Sequence, residues 1–417
     1  MRLRLIYGLV LFFFVSKHAL LADEYSLDVP LLIQKASVTT APGAKSSQLD
    51  VLVENGRISN IGDHLRVPPG ARVIDASGLH LYAGFIDGWT RTGISDPKPN
   101  EADERRYESE FRSAAEGPFV SMMAANRIGI YPERSALDYL SITEKTFDEH
   151  RANGFTAALI APPSAMLGGR TSLIATGDGP LRNAVIQADI TSAASFDRPG
   201  SRAIQSRGRY PGTILGVIAA LRQAFYDAQW YSETTTFGKD DPATPVVLPT
   251  DPALHALQDV LTGKLPIVWE AETEDEIDRA MERQQEFGFK MWVAGARRAF
   301  KRTDALKARE TPIIVSLETQ KEPKKYRFEA KKYRKAEDDT TLYGKAWESR
   351  PFEPEAATDE LNRRRKEMLS NLSEVEKAGL TWCVSTGDEP KKALENLHAY
   401  QEAGATNESL LRALTVS

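Results

Sequence analysis

A regular alternation of predicted strands and helices between residues 266 and 317 constrains the fold more than any other feature of the chain. Buried-strand patterns start at 266, 290 and 311, a repeat of roughly 20–25 residues that is typical of parallel βα units. Thr273 and Glu276 form a capping-box pattern at the start of the intervening helix, and Gly288 ends it. No glycine-rich phosphate loop follows these strands, so the pattern favours a (β/α)8 TIM-type barrel over a doubly wound sheet.

The segment before the barrel predicts a small β domain, which we place at residues 23–80. Leu49–Glu54 alternates apolar and polar residues, and Asn55-Gly56 is a strong signal for a two-residue hairpin turn. Arg57–Gly62 has the pattern of the returning strand. A short antiparallel β unit is therefore expected ahead of the barrel.

The amino terminus has the pattern of an export signal, which we assign to residues 1–22. Arg2 and Arg4 precede an apolar run from Leu5 to Val15, and Ala22 is a candidate residue before the cleavage point. The run is shorter than the roughly 20 apolar residues that span a bilayer. We therefore predict an exported protein, periplasmic or secreted; an uncleaved anchor, which would place the chain at a membrane, is the alternative.

Composition narrows the classes of partner. Charged residues make up 27% of the 417 residues and the formal net charge is −5, which does not favour a nucleic-acid partner. The single cysteine, Cys383, cannot form a disulfide within the chain and lies in an apolar run, which favours a buried structural thiol.

The predicted barrel covers residues 81–417 and contains a strongly charged stretch at 320–358. Lysines and arginines are clustered there, which is the composition of a nucleic-acid or membrane patch. Glutamates and aspartates interleave with them. The mixed charges favour a solvated insertion in the barrel.

Three segments carry a resemblance to a known family. Val53–Ile58, Val73–Ala76 and Gly84–Asp87 follow one another in the order and composition of the start of the amidohydrolase superfamily. Leu221–Tyr231 also resembles a helix of exported bacterial members similar to imidazolonepropionase. The resemblance implies a (β/α)8 barrel with a small, partial β-sandwich at the amino terminus. It also implies hydrolysis of non-peptide C–N bonds in cyclic amides or dipeptide-like substrates, with zinc or another divalent metal.

The metal-ligand positions that the resemblance implies are changed in this chain. Two histidines are expected after Asp87, but the chain has Trp89 and Arg91. An indole has no lone pair to offer and a guanidinium only donates hydrogen bonds. Where later strands of the family end in histidines, this chain has Glu270 and, further on, Ala294 with Gly295.

Neither the last predicted strand nor the histidines of the chain supply the missing metal ligands. Gly387 occupies the place of the family's aspartate, which acts as ligand and general base, and Asp388 follows one residue later. A slip of one residue on a strand turns a side chain to the other face. The six histidines all fall outside the predicted strand ends: His18, His64, His80, His150, His255 and His398.

Three carboxylates remain as candidate catalytic residues: Asp87, Glu270 and Asp388. If all three face one cavity, they could bind a hard cation such as Ca²⁺ or Mg²⁺ through oxygen. The preferred alternative is that Arg91 pairs with one of them and the mouth of the barrel is balanced in charge. We therefore assign no metal ligands and no cofactor, and expect at most a small-molecule ligand.

The carboxyl end of the chain indicates a truncated barrel. Leu411–Ser417 resembles the point at which the family continues into strands that complete the sandwich. Either the chain is a fragment of a longer one, or the sandwich has lost its second half. We favour a fragment, which could continue into the missing sandwich strands or into a second amidohydrolase domain.

Two functions are compatible with these patterns. The first is a hydrolase of the amidohydrolase class, whose activity is in doubt because the metal site is degenerate. The second is a non-catalytic, exported binding or scaffolding domain, a pseudoenzyme that keeps the barrel without the metal. The site decides between them, because a fold of this kind supports many functions.

Overall fold

The computed structural model of the chain describes residues 29–95, 129–197, 211–240, 250–319 and 355–416. The predicted signal at 1–22 lies outside them, as does nearly all of the charged stretch at 320–358. Within the described residues, no helix is both long and apolar enough to cross a membrane.

A five-stranded sheet precedes the barrel. Its strands are β1 Leu31–Val38, β2 Ser47–Glu54, β3 Arg57–Gly62, β4 Arg72–Asp75 and β5 His80–Leu81. Strands β3, β2, β1 and β4 are neighbours in that order, and β5 extends beside β1. A small core of Ala36, Val38, Val51 and Ala76 lies on one side of this sheet. The sheet agrees with the expected β unit, and the partial sandwich stays a prediction.

The predicted hairpin turn is confirmed. Strands β2 and β3 pair antiparallel on either side of Asn55-Gly56. Asn55 has a φ of 52° and Gly56 a φ of 71°. Two successive left-handed residues match the twist of the flanking strands, which is why this dipeptide is favoured there.

Ten further strands follow. They are β6 Phe85–Thr90, β7 Phe155–Ile160, β8 Leu167–Arg170, β9 Ser172–Ala175, β10 Val185–Gln187, β11 Ser192–Ser195, β12 Ile267–Ala271, β13 Met291–Gly295, β14 Ile313–Ser316 and β15 Trp382–Ser385. Strand β6 pairs parallel with β7, and β11 to β15 form a continuous parallel ladder. The mixed α/β fold is consistent with a TIM-type barrel.

The hydrogen-bonded ladder of the barrel is interrupted. Between β7 and β11 the chain makes an antiparallel excursion, in which β9 pairs with β7 and β8 pairs with β11. The strands therefore fall into a four-stranded and a six-stranded sheet. The closed eight-stranded ladder expected from the sequence is not present in the described residues.

The first and last parallel strands, β6 and β15, lie against each other without forming a ladder. A Cβ atom placed on Gly88 of β6 would come within 2.8 Å of the Cys383 sulfur and 2.9 Å of the Val384 carbonyl oxygen. Only glycine allows this approach, because a side chain would push the strands apart. Gly88 therefore sets how closely the two ends of the barrel meet.

Two hydrophobic clusters lie on the two faces of the parallel strands. The inner cluster takes one residue from each of six strands: Trp89, Leu159, Ala193, Val268, Ala294 and Ile314. Cys383 of the seventh strand packs against it. The outer cluster joins alternate strand residues to the helices. This alternation is the period of a strand that is covered on both faces.

Ten α-helices occupy the described residues. They are α1 Asp148–Ala152, α2 Leu181–Ala184, α3 Ile214–Asp240, α4 Pro252–Leu261, α5 Glu274–Phe287, α6 Thr303–Ala308, α7 Glu355–Leu369, α8 Asn371–Ala378, α9 Ala393–Glu402 and α10 Asn407–Thr415. The capping box of Thr273 and Glu276 starts α5, and Gly288 ends it with a φ of 73°. Both predictions for this helix are confirmed.

One predicted helix is divided in the structure. The sequence predicts a single helix from about 359 to 378, but α7 and α8 are separate and meet at Ser370. The Ser370 hydroxyl donates a hydrogen bond to the Glu367 carbonyl oxygen at 2.8 Å. Such local bonds compete with the regular helical pattern.

Candidate functional site

Charged side chains follow the carboxyl ends of the parallel strands and form what we call the charged rim. Its members are Arg91 after β6, Asp197 after β11, Glu270 and Glu272 at β12, Arg297 after β13, Glu318 after β14 and Asp388 after β15. Carboxylates outnumber guanidinium groups in the rim by five to two. In barrels of this class, the loops at this end carry the functional residues.

A bidentate ion pair between Arg91 and Glu270 crosses the mouth of the barrel. Arg91 Nη1 donates to Glu270 Oε2 at 3.0 Å, and Nη2 donates to Oε1. The Arg91 Nε group donates to the Pro162 carbonyl oxygen at 2.9 Å, which holds the guanidinium plane. Strands β6 and β12 belong to different sheets, so the pair links the two sheets.

The charge state of Arg91 depends on this partner. Burial by itself lowers the pKa of the guanidinium, but the charge and hydrogen bonds of Glu270 oppose it. Asp388 and Asp197 add a smaller effect in the same direction, and the net pKa of Arg91 is raised. The pairing that the sequence favours is thus present, between Arg91 and Glu270.

The second guanidinium of the rim, that of Arg297, pairs with two other carboxylates. Arg297 contacts the Glu318 carboxylate and lies 3.6 Å from that of Glu272. Glu318 also accepts a hydrogen bond from the backbone N–H of Asp388 at 2.7 Å. The rim therefore consists of two charge-paired groups, and the Asp388 side chain itself is exposed.

The Trp89 indole fills the barrel just inside the rim. Trp89 and Val268 belong to the inner cluster, and each precedes a member of the Arg91–Glu270 pair by two residues. Trp89 is only 5% exposed, and its Nε1–H group has no hydrogen-bond partner within the described residues. Buried indole N–H groups usually have an acceptor, so this donor is unsatisfied at a cost.

Asp87 lies away from the rim, in a fully buried group with His150 and Thr386. Its Oδ1 atom accepts from the Thr386 backbone N–H at 2.9 Å, and its Oδ2 atom accepts from the Thr386 hydroxyl at 2.5 Å. His150 Nε2 lies 3.0 Å from Oδ2. The pairing of β6 is irregular between Asp87 and Thr90, and the Asp87 carboxylate meets His150 of helix α1.

The structure separates the three candidate catalytic carboxylates. Glu270 lies at the mouth but is held by Arg91, Asp388 is on the exposed edge, and Asp87 is completely buried. They do not face one cavity. The expected ring of three carboxylates is therefore not formed, because Asp87 is bound by His150 and Thr386, Glu270 is bound by Arg91, and Asp388 is exposed.

The sequence does not predict the contact that His150 makes with the candidate residue Asp87. His150 lies in the short helix α1, outside the predicted strand ends. Its ring does pack edge-on against Phe147 and Phe155. Its bond to Asp87 spans 63 residues of sequence, and no local motif signals it. The Nδ1 atom is buried without a partner in the described residues.

The residues of this mouth do not fit the divalent metal that the resemblance implies. Trp89 and Arg91 stand at two ligand positions and have no lone pair to donate. Both carboxylate oxygens of Glu270 accept hydrogen bonds from Arg91. Among the described residues, no three histidine, cysteine, aspartate or glutamate side chains lie close enough together to hold a metal ion.

Comparison with known proteins gives local sequence similarity to one group of enzymes. The chain is 35% identical to a dihydroorotase of Geobacter metallireducens over 92 residues, 22% of this chain and 21% of that enzyme. It is 30% identical to a dihydroorotase of Lactococcus lactis over 117 residues, 28% of this chain and 26% of that enzyme. The matches thus span about a quarter or less of these relatives. No family model matches the chain.

A solved structure shares the fold over most of the chain. An amidohydrolase from Thermotoga maritima aligns with a TM-score of 0.68 and 20% identity, covering 93% of this chain and 87% of that one. At this identity the alignment shows the fold. Taken with the local similarity to dihydroorotases, it supports the resemblance to the amidohydrolase superfamily carried by Gly84–Asp87.

Proposed function

We propose that this chain is a non-catalytic member of the amidohydrolase superfamily whose barrel mouth binds a small molecule. The observation that carries the proposal is the Arg91–Glu270 ion pair, with Trp89 filling the barrel behind it. Both Trp89 and Arg91 stand where the resemblance places metal-binding histidines.

The chemistry of C–N hydrolysis explains why these substitutions matter. In metal-dependent hydrolases the metal lowers the pKa of a bound water, and a carboxylate accepts its proton. Here the expected aspartate position is Gly387, and the carboxylate of Asp388 lies on the exposed edge. Asp87 is buried and saturated with hydrogen bonds, so it is not placed to accept a proton from water.

Hydrolysis of C–N bonds is the second candidate function. It is supported by the relatives, which are dihydroorotases and an amidohydrolase. Members of this superfamily typically use a divalent metal for hydrolysis. For it to hold here, Glu270 would have to leave Arg91, or ligands would have to come from outside the described residues. A second amidohydrolase domain in a longer protein could also carry the activity.

The proposed location is outside the cytoplasm. The predicted signal at 1–22 supports export to the periplasm or beyond, and an uncleaved signal would instead anchor the chain at a membrane. Neither the composition nor the charged rim favours a nucleic-acid partner, because carboxylates predominate in the rim.

Metal content tests the proposal. The purified chain is incubated with Zn²⁺ or Mn²⁺, dialysed, and analysed by elemental mass spectrometry beside the variants E270A and D388A. We expect much less than one ion per chain in all three proteins. Close to one ion per chain in the wild type, lost in either variant, would overturn the proposal.

Hydrolysis assays provide an independent test. Dihydroorotate and a panel of dipeptides are incubated with the chain in the presence of each metal, with a dihydroorotase as the positive control. We expect no turnover above the rate without protein. Turnover that disappears in E270A would establish the hydrolase alternative.

A further inference from the structure

The barrel strands form two bodies. Strands β6, β7, β9 and β10 make the four-stranded sheet, β8 and β11 to β15 make the six-stranded sheet, and no ladder joins the two sheets within the described residues. The four-stranded sheet has a hydrophobic cluster of its own. None of its buried members comes from the strands of the other sheet: Ala136, Leu140, Phe147, Ala158, Ile160, Ile174 and Ala184. A sheet with its own cluster can move as one cooperative unit.

On one side, the chain itself joins the two sheets. It crosses between them from β7 to β8, from β8 to β9 and from β10 to β11. At the middle crossing, the Thr171 N–H donates to the Thr191 carbonyl oxygen at 2.8 Å, and the Ile190 N–H donates to that of Thr171 at 2.9 Å. The buried hydroxyl groups of Thr171 and Thr191 lie 2.7 Å apart. Short covalent crossings of this kind are where hinges form.

On the other side, β6 meets β15 at a boundary that we call the seam. Four hydrogen bonds cross it: the Thr386 N–H and hydroxyl to Asp87, the Ser385 hydroxyl to the Trp89 carbonyl, and the Thr90 hydroxyl to the Gly387 carbonyl. Each bond has a side chain as donor or acceptor. Helix α10 contacts both strands, so an opening of the seam also separates α10 from one of them.

We propose that the four-stranded sheet swings about the Thr171–Thr191 side, and that the Asp87–Thr386 bonds are the latch that keeps the barrel closed. The opening separates β6 from β15 and uncovers the inner cluster at Cys383. The Arg91–Glu270 pair also links the two sheets, but its side chains are partly exposed and hold them less firmly. This conformational device goes beyond the ligand-binding function and requires neither a ligand nor a metal.

Cys383 reports whether the seam opens. A Cβ atom on Gly88 would lie 2.8 Å from the Cys383 sulfur, so the thiol faces β6 across the seam. Burial raises the pKa of this thiol to about 12, so it reacts in molecules in which the seam or the whole chain has opened. The rate of labelling by a chromogenic disulfide therefore measures the opening.

The dependence of this rate on urea separates a local opening from complete unfolding. We expect the wild-type chain in low urea to be labelled at least about tenfold faster than complete unfolding allows. The rate should also rise less steeply with urea than complete unfolding does, because the open seam exposes only part of the buried surface. A labelling rate that follows complete unfolding in both size and slope would overturn the proposal.

Two matched threonine variants locate the latch. T386V removes a buried hydroxyl that bonds across the seam, and T191V removes one on the hinge side. We expect T386V to accelerate the labelling of Cys383 by roughly fivefold, the effect of one lost hydrogen bond. T191V should leave the rate unchanged, because the hinge contacts persist in the open form. Equal acceleration in both variants would indicate complete unfolding and refute the latch.

A second latch variant keeps the test decisive if T386V does not fold. S385A removes the hydroxyl that bonds the Trp89 carbonyl across the seam, and it should also accelerate the labelling by roughly fivefold. An unchanged rate in S385A would refute the latch. Metal binding or hydrolysis would refute the proposed function without altering these rates, so the two failures are distinguishable.

Discussion

Asp87 and Thr386, which are 299 residues apart in sequence, are joined by two hydrogen bonds at the centre of the fold. The Thr386 backbone N–H binds one carboxylate oxygen of Asp87 and the Thr386 hydroxyl binds the other. Asp87 lies on the first parallel strand and Thr386 just after the last one. This contact therefore joins two strands that share no ladder of their own.

Replacing Asp87 should strongly destabilise the protein. D87A removes the acceptor of Thr386 and His150 and leaves their donors buried without partners, so the free energy of unfolding should fall by about 3–5 kcal/mol. D87N keeps the shape and should cost less, since the Thr386 hydroxyl and the His150 ring can each also accept a hydrogen bond. Urea unfolding measures both. The exposed D388N change is the control, and an effect of D87A no larger than that of D388N would contradict the prediction.

The Arg91–Glu270 pair should behave as a coupled unit. R91M or E270L alone leaves one charge without its partner and should lower the free energy of unfolding by about 1–3 kcal/mol. The double variant R91M/E270L removes both charges and should be close to the wild type in stability. A double-mutant cycle from chemical denaturation gives the coupling energy. Strict additivity of the two single changes would show that the pair contributes nothing.

Glu274, the first residue of α5, should link stability to acid pH. Its hydrogen bond from Lys301, with a further contribution from Arg298, lowers its pKa to about 2 from an ordinary value of 4.5. Because the folded pKa is the lower one, the stabilisation is complete above about pH 4.5 and is lost as the pH falls towards 2.

The variant E274Q tests this linkage. It should lower the free energy of unfolding at pH 7 by about 1 kcal/mol and approach the wild type near pH 2. Glu395, in the first turn of α9, makes no ion pair within the described residues and supplies the control E395Q. Unfolding curves between pH 2 and 7 measure both variants; a pH-independent difference for E274Q would refute the assignment.

Cys383 should react slowly with thiol reagents in the native protein. Burial, helped by the negative charge of Asp87, raises the pKa of its thiol to about 12 from 9.0. Its thiolate population near pH 8 should then be roughly 1000-fold smaller than that of an ordinary cysteine. Labelling with a chromogenic disulfide before and after denaturation measures this, and C383S gives the background. Equal native and denatured rates would contradict the prediction.

The sequence predicts the repeating parts of this fold well, because they depend on local patterns. The hairpin at Asn55-Gly56, the capping box of Thr273 with Glu276 and the helix stop at Gly288 each follow from the conformations that those residues favour. The period of the strands predicts the parallel βα arrangement of β12 to β14. The predicted export signal and truncated sandwich stay predictions.

The tertiary structure alone decides the candidate site. From the sequence, Asp87, Glu270 and Asp388 are equivalent strand-end carboxylates. In the fold, Asp87 is buried against His150, Arg91 holds Glu270, and Asp388 is exposed. The types of side chain along the chain already tell which metal ligands are missing from the mouth, because the chemistry of a side chain does not depend on its position. Which charges meet depends on the fold, because each such contact joins residues that are distant along the chain.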